Sequence, residues 1–236
     1  MDTVQLPNEM IWFDKDLLSA PTELSCEATY WYVHDKVIGT AQGRGTTWFV
    51  QLDGLQGALR HYRRGGLFGK LIKDSYWFKG WDKSRSYQEF VLLQKLRQAN
   101  VNVPRPIAAR VIKSGLFYKA DLLSERIPRA KDLVGILQQG PLSEQVYIAI
   151  GQQIAKLHRA QVNHTDLNIH NILLDDDQVA WIIDFDKCYE QSGEDWKQSN
   201  LARLKRSFLK EVERFSIHWQ SDDWDALIKG YQSANQ

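Results

Sequence analysis

The chain reads as an α+β protein of two lobes, a strand-rich first half with one long helix and a helix-rich second half interrupted by one hairpin. Three observations predict this. Between Lys36 and Tyr62, short runs of β-branched and aromatic residues are separated by glycine turns. Beyond Pro128 the apolar residues fall into helical spacing. Around Asn171 and Asp184, two short apolar runs flank the acidic turn Asp175-Asp176-Asp177 and return to strand character.

Taken in order, KVIGTAQ and TTWFVQL flank the turn Gly43-Arg44-Gly45, and LQGALRHY forms a third strand after LDGLQG. Arg63 to Arg85 shows no clear period and mixes basic with aromatic residues. SRSYQEFVLLQKLRQAN follows as a helix, with Phe90, Leu93 and Leu96 at helical spacing and Glu89 early in it. IAARVIKS and GLFYKADLLSERI read as a hairpin turning at Ser114-Gly115. KDLVGILQQ and SEQVYIAIGQQIAKLHRA read as helices, NILLD and VAWIIDF as strands, and SNLARLKRSFLKEVERF and DDWDALIKGYQ as closing helices. The lobes are expected at residues 1–124 and 125–236, with a hinge at the start of the second.

Composition excludes several classes of function. Hydrophobic residues make up 43% and charged residues 25% of the 236, an ordinary balance for a soluble globular chain. The net charge of +1 gives no global attraction for nucleic acid. Cys26 and Cys188 stand far apart without a CxxC pattern, so neither a disulfide framework nor a zinc knuckle is expected. The opening residues lack a basic stretch followed by an apolar one, so no secretory signal is expected. No apolar run approaches the ~20 residues of a membrane-spanning helix, so a membrane would be met from the side. Nine Trp is a high count, and part of that surplus is expected at a surface or pocket.

The chemistry concentrates in His164-Thr165-Asp166-Leu167-Asn168-Ile169-His170-Asn171 and in Ile182-Ile183-Asp184-Phe185-Asp186. Phosphoryl transfer to a hydroxyl needs a carboxylate to orient the hydroxyl and take its proton, and two side chains to hold magnesium against phosphates. Asp166 suits the first role, and Asn171 with Asp184 the second. Strand alternation would bring Asn171 and Asp184 to the same end of one hairpin. A zinc site from His158, His164 and His170 is the alternative; His164 is instead expected to pack under the loop and brace it.

These segments resemble the kinase catalytic loop HxDxxxxN and the metal-binding DFG segment. Under that resemblance Gly43-x-Gly45-x-x-Trp48-x-Val50 corresponds to the phosphate-covering loop, with Trp48 in place of its third glycine. Ala58-Leu59-Arg60 corresponds to Ala-Ile-Lys, with Arg60 or a neighbour such as Arg63 on phosphate and Glu89 as the ion-pair partner. Glu125 and Ile127, at the hinge, would carry adenine on backbone groups. Thr165 replaces an arginine, Asp186 replaces a glycine, no APE-like segment follows, and the next stretch is short and basic. A peptide platform therefore looks absent, and a non-protein hydroxyl is the expected acceptor.

At closer range GRGTTWFV, ALRHYRRGG with LFGKLIKDSYWF, HTDLNIHNILLD, IIDFD and NLARLKRS are similar to the 3-deoxy-D-manno-octulosonic acid (Kdo) kinase family of lipopolysaccharide inner-core assembly, relatives of the heptose kinases. The resemblance covers nearly the whole chain. It implies ATP and Mg2+ as cofactors and phosphorylation of the 4-hydroxyl of Kdo on a lipid A precursor. It places the work at the cytoplasmic face of the bacterial inner membrane. A heptose or other small-molecule sugar kinase, or a silent nucleotide-binding scaffold, is the competing reading. No nucleic acid or obligate protein partner is expected. Arg60 to Arg85 holds eight basic residues against two acidic, interleaved with Tyr76, Trp77, Phe78 and Trp81. Such a segment would suit a carboxylated sugar, lipid phosphates and an anionic membrane surface. Arg63, Arg64 and Lys70 are the expected substrate contacts there, and Arg203 and Arg206 are further ones.

Overall fold

A computed structural model describes residues 1–18, 23–42, 45–64 and 74–234. It divides into two compact units, Met1–Gln94 with Arg105–Arg126, and Lys95–Pro104 with Ile127–Gln236.

The first unit is built on an antiparallel sheet. Its strands are β1 (Asp2–Leu6), β2 (Glu9–Phe13), β3 (Val37–Gln42), β4 (Thr46–Gln51), β5 (Gln56–His61), β6 (Tyr76–Trp77), β7 (Pro106–Ser114) and β8 (Phe117–Glu125). The order is β1-β2-β7-β8-β5-β4-β3, with β6 also paired to β8. Two helices belong with it: α1 (Ala28–Val33), and α2 (Arg85–Gln98), whose last turn groups with the second unit.

The β1–β2 hairpin and α1 are additions to the sequence reading. Four of the five β2 residues are buried, so no alternation marks it, and six residues are too few for a helical period to register. On one side of the sheet Val50, Leu59, Leu123, Ala108 and Phe13 cluster with Ile107, Cys26 and Trp31. Each large apolar side chain buried there contributes on the order of 1.5–3 kcal/mol.

The β4–β5 register sets the chemistry of the opposite face. Trp48 lies opposite Leu59, while Phe49 lies opposite Ala58 and Thr47 opposite Arg60. Cross-strand partners share a face, so Trp48 packs against the core while Ala58 and Arg60 face the other way. A tryptophan where kinases carry a third glycine is thereby removed from the Arg60 face.

The second unit comprises β9 (Lys131–Asp132), α3 (Leu133–Leu137), α4 (Glu144–Arg159), β10 (Val162–Asn163), β11 (Ile172–Leu174), β12 (Ala180–Ile182), β13 (Tyr189–Glu190), α5 (Asp195–Phe215) and α6 (Ser221–Ser233). The expected helix in KDLVGILQQ is shorter than its pattern. Lys131 and Asp132 pair with β11, and the Asp132 carboxylate caps what remains by accepting the Gly135 amide at 2.8 Å. Leu201, Leu204 and Phe208 are buried along α5, three and four residues apart on one face of the helix.

α4 and α6 cross closely at two glycines. A Cβ added to Gly151 would sit 2.0 Å from the Leu227 carbonyl oxygen, and one added to Gly230 would sit 2.1 Å from that of Ile148. His158, beside this contact, is buried, and burial pushes its pKa down to about 4. It therefore stays neutral, with Nδ1 2.9 Å from the Tyr231 hydroxyl.

Candidate active site

In the second unit the loop from His164 to Asn171 is closed by its own polar side chains. The Asp166 carbonyl accepts two amides, Asn168 Nδ2 at 2.9 Å and Asn171 Nδ2 at 3.0 Å. Asn168 Oδ1 accepts the His170 amide at 2.9 Å, so Asn168 caps the short 3-10 turn Ile169–Asn171. Because Asn171 spends its Nδ2 on a carbonyl, its Oδ1 is the atom left to face a ligand. Asp166 itself is half-exposed, which suits a carboxylate that must meet an incoming hydroxyl.

β11 and β12 connect this loop to the segment at Asp184. Ile172 pairs with Ile182, and the Ile183 amide donates to the Asn171 carbonyl at 3.0 Å. Asn171 and Asp184 consequently sit at the same end of the hairpin. Asp184 is exposed in the left-handed region at φ 64, which aspartate tolerates better than most residues.

His164 braces both segments. Its ring is buried 4.8 Å from that of Phe185, and its Nε2 lies 3.0 Å from the Ile183 carbonyl. A carbonyl only accepts, so Nε2 carries the proton, and burial holds the ring's pKa below its ordinary value. The zinc alternative fails on these contacts: His158 meets Tyr231, His164 meets Ile183 and His170 meets Glu211 at 3.4 Å.

α5 supplies residues that the sequence reading did not single out. Asn200 Oδ1 accepts the His164 amide at 3.2 Å, and Ser207 Oγ accepts the Ile169 amide at 2.9 Å. Between them Arg203 places Nη1 3.5 Å from Asp166 Oδ1. Residues 200, 203, 204 and 207 share one helical face. NLARLKRS is thus a strip that grips the loop at both ends and sets one cation beside Asp166. Arg206 is exposed on the same helix.

The first unit carries its own charged set. Glu89 of α2 is buried, with one carboxylate oxygen paired to Arg60 and the other accepting the Tyr62 hydroxyl. Arg63 is exposed, and its Cδ would lie 3.1 Å from a Cβ added to Gly45. Side-chain bulk at Gly45 would therefore press on a second cation near the glycine turn.

Arg64 donates Nε to the Ser75 carbonyl at 2.7 Å and lies over the Tyr76 ring, which commits much of its guanidinium to structure. Glu125 holds Arg105 in a bidentate pair, and its amide donates to the Arg105 carbonyl at 2.8 Å, so at least this amide is engaged by strand pairing. Ile127 is buried and opens the second unit's main segment. Gly43 and Lys70 lie outside the described residues.

Among the described residues no cluster of three or more His, Cys, Asp or Glu could hold a metal. An Asn–Asp pair falls outside that test, and it suits magnesium, which takes one or two carboxylates and fills its remaining positions with water and phosphate oxygens. The oriented Asn171 Oδ1 and the exposed Asp184 carboxylate are donors of that chemistry.

A mixed α+β fold in which a half-exposed carboxylate and an Asn–Asp pair gather around one loop and hairpin fits the class of phosphotransferases acting on a hydroxyl group. Comparison with known proteins gives the particular family. The model of the lipopolysaccharide kinase (Kdo/WaaP) family matches residues 28–231. A curated relative named 3-deoxy-D-manno-octulosonic acid kinase, from Vibrio cholerae serotype O1, is 62% identical over 224 residues, covering 95% of each chain. Proteins of the same name from Photobacterium profundum and Pasteurella multocida are 54% and 50% identical, over 98% and 87% of this chain and 98% and 89% of theirs. Among solved structures, WaaP in complex with acyl carrier protein matches at a TM-score of 0.63 and 17% identity, covering 94% of this chain and 88% of that one; this likeness shows the fold. The chain belongs to the lipopolysaccharide kinase (Kdo/WaaP) family.

Proposed function

We propose that this protein transfers the γ-phosphate of ATP to the 4-hydroxyl of a Kdo residue on a lipid A precursor, working peripherally at the cytoplasmic face of the inner membrane. The observation that carries the choice of sugar is near-full-length identity of 50–62% to relatives named for that activity.

In this reading residues 1–124 form the nucleotide lobe and residues 125–236 the acceptor lobe. Asp166 orients the acceptor hydroxyl and takes its proton. Asn171 Oδ1 and Asp184 hold Mg2+, which would supply charge neutralisation on the phosphates. Arg60, fixed by Glu89, and the turn at Gly43 and Gly45 meet the nucleotide phosphates, while Glu125 and Ile127 offer backbone to adenine. Arg203 meets the acceptor carboxylate. A cation 3.5 Å from the Asp166 carboxylate, with both side chains half-exposed, can be shared with an incoming anion at little cost in stability. Arg206, Arg63, Arg64 and Lys70 are further contacts for anionic groups of the lipid A precursor.

The experiment is a phosphoryl-transfer assay with magnesium-ATP and four acceptors: a Kdo-bearing lipid A precursor, a heptose-bearing core, free Kdo and a generic protein. Selective transfer to the Kdo-lipid supports the reading. Preference for the heptose core would replace it with a heptose kinase, and ATP binding without transfer to any acceptor would reduce the protein to a nucleotide-binding scaffold.

A further inference from the structure

The basic aromatic stretch looks different in three dimensions from its linear pattern. Tyr76 is buried against Tyr118, and Phe78 packs edge-on to Trp81 with ring centroids 5.0 Å apart. Of the four aromatics only Trp77 points clearly outward, with 54% of its surface exposed. It has neighbours that linear order hides. Trp77 lies opposite Phe117 across the β6–β8 pairing, their rings 5.4 Å apart and edge-on. The Phe78 amide donates to the Leu116 carbonyl at 2.9 Å, bringing the β7–β8 turn alongside. Leu116 is 63% exposed and Phe117 37%.

We propose that Trp77, Leu116 and Phe117 form a bilayer-docking tip on the first unit, entering the interfacial layer of an anionic membrane while Lys79 and Lys113 meet lipid phosphates. This rests on the reading that the acceptor is lipid-linked.

Hairpin turns are commonly occupied by Gly, Asn, Asp and Ser, because those residues satisfy turn geometry and face water. A leucine followed by a phenylalanine at such a turn, with a tryptophan docked beside them, leaves apolar surface exposed at three adjoining residues. Tryptophan is the side chain whose apolar ring and single N–H suit headgroup depth.

The charges select the partner. Lys119 is paired with Asp74 and Lys83 with Asp82. Lys79 is exposed and Lys113 lies 5.1 Å over the Phe78 ring, and neither has an acidic partner among the described residues. An apolar tip flanked by uncompensated lysines complements an apolar layer under anionic headgroups.

The test uses the full chain and vesicles of phosphatidylglycerol with phosphatidylethanolamine, measured by co-sedimentation and by brominated-lipid quenching of tryptophan. Relative to the parent, W77S/L116S/F117S should lower the partition coefficient about tenfold or more, in high salt as well as low, with an unchanged melting temperature. K79Q/K113Q should weaken binding chiefly at low salt. Trp77→Phe should remove the brominated-lipid quenching while sedimentation persists. A triple variant within twofold of the parent overturns the proposal, as does a parent that does not sediment. Lipid-free self-association abolished by the triple variant would assign the patch to a second copy of the chain, and also overturns it. Turnover on a detergent-dispersed Kdo acceptor separates the two readings. Normal turnover with no vesicle binding sinks the tip alone, whereas no turnover on any acceptor sinks the kinase reading.

Discussion

Two arginine–carboxylate pairs, one in each unit, have the same chemistry and opposite surroundings. Glu89 is almost wholly withdrawn from water, with 2% of its side chain exposed, and it binds Arg60 and Tyr62 at once. Asp166 and Arg203 are 51% and 49% exposed. A buried pair whose remaining acceptor is also used is part of the scaffold, because removing one partner strands the other. An open pair contributes little to folding and can be exchanged for a ligand. The first unit therefore holds its cation in a fixed place, while the second keeps its carboxylate beside a partner it can give up.

The comparison breaks most visibly at Asp166. Asp166→Asn should lower kcat by roughly 10²–10⁴-fold while leaving ATP affinity and melting temperature near those of the parent, since in the proposed reaction Asp166 meets acceptor and not nucleotide. Unchanged turnover on the true acceptor would remove Asp166 from the chemistry. At the buried pair the effect should divide between activity and folding. Glu89→Ala should cost about 3 kcal/mol of stability by denaturant unfolding and raise the KM for ATP. Arg60→Ala should reduce kcat/KM for ATP more than Arg63→Ala does, and the reverse ranking would transfer the phosphate contact to the arginine beside Gly45.

Arg203→Gln sharpens the contrast from the other side. It should raise the acceptor KM about tenfold and change stability by no more than about 0.5 kcal/mol. An equally large rise in the KM for ATP would argue that Arg203 serves the nucleotide. The smallest effect concerns His61, next to Arg60 on β5. Both ring nitrogens face carboxylates, Asp121 at 2.7 Å and Asp74 at 3.3 Å, and the hydrogen bond to Asp121 is the main cause that raises its pKa. The stability it adds is fully present below the ordinary histidine range and is lost as pH rises through its higher folded value. Stability curves of parent and His61→Gln should therefore differ most in acid and converge above neutrality. A constant gap across pH would show that His61 acts by packing alone.

What could be read from the sequence follows the range of the interactions involved. The loop from His164 to Asn171 organises itself through contacts close in sequence, such as Asn171 to Asp166 and Asn168 to His170, so residue types and spacing were enough to propose it. The grip of Asn200 and Ser207 on that loop spans 36 and 38 residues. Only the motif NLARLKRS signalled it, without indicating what it holds. The β1–β2 hairpin was hidden because β2 is buried on both faces, and in the run at Arg63–Arg85 linear interleaving does not distinguish an inward Tyr76 from an outward Trp77. The pairing that gathers Trp77 with Phe117 depends on sheet register, which the pattern of either segment alone does not carry.

The crossing of α4 and α6 has a consequence in genetics. Glycine is the only residue without a Cβ, so every missense codon at position 151 or 230 introduces the atom that backbone at the other helix excludes. Both contacts are made against main chain, Gly151 on the Leu227 carbonyl and Gly230 on that of Ile148. The two codons, 79 positions apart in the reading frame, thus form one linked locus of intolerance, and a lesion at either is not rescued by trimming a side chain opposite, because what it strikes is main chain.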